Sequence, residues 1–233
     1  MATHYIPKTI RTANMPMSEP AVIPGRRPAA AVPFVTIAQQ AGAESADLPR
    51  RLAERLTARD GGGDGGTWLS WDEELIDKVS ADSHIPADVI QSLETSGHSW
   101  LDDLLGGIAG RTDEVTVFHR VSETVRRLAE TGRAILVGHG SNYLTRGLPG
   151  GLHIRLYAPQ DVRVEHVARR FDLTPPAALK HMRQLDRERA AFFSRFFPGQ
   201  PLVPELFSAE LNTAALDEQQ VVEAILAMMP YAR

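Results

Sequence analysis

Arginines crowd into one stretch of a chain that is acidic as a whole. Residues 163–195 hold seven arginines and one lysine against four carboxylates, while the 233 residues carry a formal net charge of −4. Arg183, Asp186, Arg187 and Arg189 fall within two helical turns. Arg183 and Arg187 share a face at i, i+4, and Asp186 reaches Arg183 and Arg189 at i, i+3. A guanidinium takes phosphate oxygens two at a time, and an aspartate among several holds the forks in place. The chemistry this spacing suits is phosphate binding and stabilisation of charge on a phosphoryl group. The competing reading is a solvated, salt-bridged helix face. Phe192, Phe193, Phe196 and Phe197 follow directly and read as core or interface rather than as a base-stacking platform.

Two turns carry further polar groups. The first is Gln39-Gln40-Ala41-Gly42-Ala43-Glu44-Ser45-Ala46, between the apolar run Phe34-Val35-Thr36-Ile37 and the helical stripe Leu48, Leu52, Leu56. A strand–turn–helix of this kind offers unpaired N–H groups and a partial positive charge to an anion. Glu44 opposes that use: a carboxylate here repels phosphate and can itself take the anion's place. An ordinary strand-to-helix turn is the plainer reading. The second turn is Val137-Gly138-His139-Gly140-Ser141-Asn142-Tyr143, where two glycines permit close backbone approach and His139 and Asn142 can donate to a ligand. Asp72, just past a short strand, suits either a substrate hydroxyl or magnesium through water, or an N-cap. The run Gly61-Gly62-Gly63-Asp64-Gly65-Gly66 follows a helix and precedes a strand, the reverse of a phosphate loop, and reads as a surface loop.

Strands must alternate with helices to hold these groups. Ala134-Ile135-Leu136-Val137 is a continuous apolar run, as in a strand buried on both faces. Strands are also expected at residues 67–70, 152–157 and 209–212. Helices are expected from Asp47 as N-cap with Pro49 inside, along the stripe Val115, Phe118, Val121, Val125, Leu128, over 162–170, from Pro175 toward Phe197, and along Val221, Val222, Ile225, Leu226. Residues 72–105 read as short helices. The pattern implies an α/β fold with a doubly wound parallel sheet. Residues 1–33 hold six of the sixteen prolines and read as a disordered or extended arm, an alternative being an arm packed on a partner subunit of a homo-oligomer.

Composition narrows the classes. With 43% hydrophobic and 23% charged residues the chain suits one domain of roughly 200 residues plus a tail. It has no cysteine, which excludes a disulfide framework, a thiol nucleophile and Cys-ligated zinc, and no metal site is expected otherwise. No apolar run reaches the roughly 18 residues of a membrane span. A cytoplasmic protein with no nucleic-acid or membrane partner is expected.

Six segments in order, residues 36–48, 71–76, 138–144, 158–170, 186–193 and 207–213, resemble motifs of the cytidylate-kinase-like family of P-loop kinases. The resemblance runs over about 34–228 and implies a nucleoside-monophosphate-kinase-like three-layer sandwich as one P-loop domain over 34–233. It implies ATP-dependent phosphoryl transfer, with magnesium, to a nucleotide or other small phosphate acceptor. Gly42 and Ser45 then lie in the phosphate loop, Arg163 near the donor nucleotide, and Arg187 and Arg189 beside Asp186 in the lid. Asp72, His139 and Asn142 face the acceptor. The sequence departs from the family where it matters most. The family's Gly-Ser-Gly-Gly is Gly42-Ala43-Glu44-Ser45, its Ser-Arg-Glu is Ala38-Gln39-Gln40, and the Arg of its Gly-Arg-Gly is His139. Loss of two glycines and one cation leaves a degenerate phosphate loop beside a retained lid, and His139 replaces a permanent charge with a titrating one. The alternative function is therefore a catalytically impaired relative acting in ligand sensing or protein interaction.

Overall fold

The computed structural model describes residues 32–45, 47–61, 66–72, 114–138, 140–200 and 202–229. The arm expected over 1–33, apart from its last two residues, and the short helices expected over 72–105, apart from Asp72, lie outside the described residues.

Five strands form one sheet in the order β2-β3-β1-β4-β5, every neighbouring pair parallel. They are β1 (Phe34–Gln39), β2 (Leu69–Trp71), β3 (Ala134–Val137), β4 (Gly151–Tyr157) and β5 (Ala209–Asn212). Between them run α1 (Leu48–Arg59), α2 (Glu114–Thr131), α3 (Ser141–Thr145), α4 (Gln160–Phe171) and α5 (Pro175–Phe196), and α6 (Glu218–Met228) closes the fold. The expected strand at 67–70 begins two residues later, because Leu69 is the first residue in register with β3, opposite Ala134. Trp68 instead gives its backbone N–H to the Thr57 hydroxyl, 2.9 Å away.

Alternation along the strands sorts side chains to two faces. Val35, Ile37, Ile135, Val137, Leu152, Ile154 and Leu156 meet Leu48, Leu52 and Leu56 of α1 and Val221, Val222 and Ile225 of α6. On the other face Phe34, Leu136 and Trp71 meet Val121, Val125 and Leu128 of α2. Helix α6 starts at a capping box: Asp217 accepts from the Gln220 N–H and Gln220 accepts from the Asp217 N–H, at 2.8 and 2.9 Å. Asp47 stands at the N-cap of α1 with Pro49 inside, as expected, but its side chain makes no cap bond and pairs with Arg50 instead.

The second face carries polar groups toward β4 and β5. Fully buried Thr36 pairs its hydroxyl with Nδ1 of His153, 2.8 Å away and directly opposite in register. Arg155 bonds Glu210 at 2.6 Å, and its guanidinium lies 5.8 Å from the centre of the Phe207 ring. Burial holds the His153 imidazole below its ordinary value of 6.5. The unfolded chain therefore takes up this proton at a higher pH than the native one. The stability that neutral His153 contributes is complete above pH 6.5 and is lost as the pH falls toward the lowered native value. Melting temperature measured from about pH 8 to about pH 5 is expected to fall on the acid side. His153→Gln should flatten that fall, and an unchanged profile in the variant would assign it to other groups.

Candidate functional site

The sheet's carboxyl edge presents the turn between β1 and α1. Gln40 donates its N–H to the Leu156 carbonyl and Ala43 donates back to the Gln40 carbonyl, at 3.1 and 3.0 Å, so the chain turns sharply. Gly42 sits at φ +80°, and a Cβ there would lie 2.5 Å from the Arg163 carbonyl oxygen. Only glycine fits, and the first turn of α4 is thereby pressed onto the loop. Ala41 seals the contact in a cluster with Val167 of α4 and with Ala178 and Met182 of α5.

The polar groups of the loop are bound within the chain. His166 donates from Nδ1 to the Gly42 carbonyl at 2.9 Å, and the Thr213 hydroxyl donates to the Ala43 carbonyl at 3.2 Å. Ser45 gives its hydroxyl to Glu218, which also pairs with Arg51 at 2.9 Å. One Glu44 oxygen accepts from Arg170 at 3.3 Å, and its other oxygen is buried without a hydrogen-bond partner. Pro49 removes one N–H from the first turn of α1. Two clefts flank the loop. One of about 340 Å³ is lined by Gly42, Glu44, His166, Val167, Arg169 and Arg170. The other, about 230 Å³, lies toward Ser45, Thr213, Asp217 and Glu218, and Glu44 and His166 line both. A triphosphate does not fit the loop in this arrangement. The loop has no cation of its own, the Ala43 N–H is taken, and the Glu44 carboxylate lines the clefts on both sides.

Of the basic constellation, the fold brings together Arg163, Asp186 and Arg189. Buried Arg163 meets Asp186 through both guanidinium nitrogens, at 2.8 and 3.3 Å, and Arg189 lies 4.0 Å from the same carboxylate. The expected Asp186–Arg183 pair is not formed. Met182 packs toward α4 and brings Asp186 round to Arg163, so that Arg183 lies exposed, with no ion pair among the described residues. Arg187 is also exposed and donates to the Gln184 side chain. None of these lid residues lines either cleft.

Aromatic rings pack against the turn at Gly140 and Tyr143. Tyr143 stacks on Phe197 with centroids 4.8 Å apart, Phe118 stacks on Phe196 at 4.2 Å, and Phe192 and Phe193 join the group. The four phenylalanines of α5 and its end are packing residues, as their composition suggested. Asn142 is fully buried, and its amide nitrogen has no hydrogen-bond partner. Asp72 is exposed beyond β2, and His139 lies outside the described residues. Sequence reasoning passed over Arg170, His166 and Thr213 as site residues. Their signal was their place in the matched segments 158–170 and 207–213.

A five-stranded parallel sheet in this order, a turn and helix at the edge of its central strand and an arginine-bearing helix packed over that turn define a kinase-like α/β protein. The family model described as "Cytidylate kinase-like family" matches residues 34–215. The chain belongs to that family. Among solved structures it is similar to an uncharacterized protein from Eubacterium ventriosum ATCC 27560, with TM-score 0.60, 14% identity, and coverage of 84% of this chain and 96% of that one. It is also similar to shikimate kinase from Bacteroides thetaiotaomicron, with TM-score 0.48, 11% identity, and coverage of 84% and 97%. Shikimate kinase from Acinetobacter baumannii gives TM-score 0.46, 14% identity, and coverage of 85% and 93%. No curated protein matches the chain. Among the described residues no helix is long and apolar enough to cross a membrane.

Proposed function

We propose that this chain is a catalytically impaired member of its family, which keeps the kinase scaffold as a module for a small ligand or a protein partner. One observation carries the reading: the loop that would cradle phosphate is closed on itself, with Gly42, Ala43, Glu44 and Ser45 each bonded to another part of the chain. A phosphoryl-transfer site works by placing donors where charge develops; here the Ala43 N–H and the Ser45 hydroxyl are used within the chain, and Glu44 brings a carboxylate instead of a donor.

The second reading is an ATP- and magnesium-dependent phosphotransferase acting on a nucleotide or another acceptor. The retained Arg163–Asp186–Arg189 group on α4 and α5 favours it. ADP formation from ATP, followed with magnesium and with CMP, dCMP or no acceptor, separates the two. No ADP above background is expected, and calorimetry should give ATP a Kd weaker than about 1 mM. Acceptor-dependent turnover would establish the second reading instead.

A further inference from the structure

Glu44 and Arg170 are 126 residues apart and meet in the lining of the larger cleft. The cleft is otherwise basic: Arg169 and Arg170 line it with His166, and Glu44 is its one carboxylate. Arg170 offers a planar fork, yet the contact uses a single N–H, at 3.3 Å. Arginine binds best when two parallel N–H groups are used. Glu44 is likewise half satisfied, since its second oxygen is buried and unpartnered. A buried acceptor without a donor carries its desolvation penalty uncompensated. Arg169 is held only at 3.9 Å, by the exposed Glu165, and exposed pairs of that kind hold little.

We propose that Glu44 is a tethered competitor for an anionic ligand: its carboxylate occupies Arg170 at rest, and a small phosphate-bearing molecule enters the 340 Å³ cleft by displacing it. This rests on the reading above in one respect, that the closed loop is the resting state. A phosphate group brings more negative charge than a carboxylate and three acceptor oxygens. It can use both edges of Arg170 and recruit Arg169, which Glu44 at one oxygen does not. The tether supplies the opposing term: a carboxylate fixed beside its partner acts at a high effective concentration, so the wild-type chain responds only to abundant or multiply charged ligands. The loop is thus self-occupied until such a ligand is present, and its release frees Glu44 from the path to the β1–α1 turn.

Inorganic pyrophosphate is a suitable probe, titrated by calorimetry at low salt. Glu44→Gln keeps the shape of the side chain and removes its charge, so it should bind pyrophosphate about 5-fold or more tighter than the wild type. Adding Arg170→Gln should abolish that gain, whereas Arg127→Gln, at an exposed position on α2 outside the cleft, should leave it intact. If Glu44→Gln folds poorly, Glu44→Ser serves in its place, and Arg170→Gln alone should remove whatever pyrophosphate binding the wild type has. Equal affinity in Glu44→Gln and wild type, or a gain that survives Arg170→Gln, overturns the proposal. ADP formation by the wild type would overturn impaired catalysis without touching this competition, so the two can fail separately.

Discussion

Leu136→Ala is expected to lower the unfolding free energy by about 2–5 kcal/mol, the range for deleting a fully buried leucine side chain. Leu136 is the third residue of β3, which lies between β2 and β1 and faces Trp71 and Thr36 in register. Its side chain is fully buried with Phe34, Trp71, Val125 and Leu128. Strands on both sides and α2 above leave little room for the site to collapse, which favours the upper part of the range. Leu136→Met, which nearly conserves volume, should cost less than about 1.5 kcal/mol. Chemical denaturation of the two variants measures both numbers. A loss well below about 1 kcal/mol for the alanine variant would mean that the strand is not packed as described.

Phe197→Ala is expected to cost about 3–5 kcal/mol and to loosen the end of α5. Phe197 is buried at the helix terminus, its ring stacked on Tyr143 and set edge-on to Phe118. Gly140 lies directly under that ring, where a Cβ would come within 2.7 Å of it, so no side chain fills the space once the ring is gone. The helix is held at three places. Ala178 and Met182 pack on α4, Asp186 holds Arg163, and the aromatic group holds the far end. Removing the last should raise proteolysis near residues 190–200 while the first two contacts persist. Phe197→Leu retains part of the burial and should lose less. If the alanine variant melts like the wild type and resists protease equally, the aromatic end does not anchor the helix.

A helix anchored in this way also packs against the turn after β1. Its packing residues Ala178 and Met182 share one small cluster with Ala41 of the β1–α1 turn. Helix α5 and the turn therefore share one packed interface with α4, and the Arg163–Asp186 pair lies a turn beyond Met182.

The sequence by itself determined the strands β1, β3, β4 and β5, the stripes of α1, α2 and α6, and the alternation that makes the sheet parallel. These follow from local periodicity and from turn residues at their ends, and neither needs a distant partner. It also determined that the turn at Gly42 is poor in glycine and cation, which is a matter of residue type alone. What only the tertiary structure decided is which charges meet. Asp186 had Arg183 and Arg189 within helical reach, yet its bidentate partner is Arg163, 23 residues away. The choice follows from how α4 and α5 pack through Val167, Ala178 and Met182, which no i, i+3 rule contains. Glu44 was legible as an obstacle to phosphate, but not its partner Arg170. Ser45 was legible as a loop hydroxyl, but not its acceptor Glu218, 173 residues on. Charge pairing at such separations is fixed by the crossing of packed elements. The residue types that drive that packing are apolar ones, silent about which polar groups they will bring together.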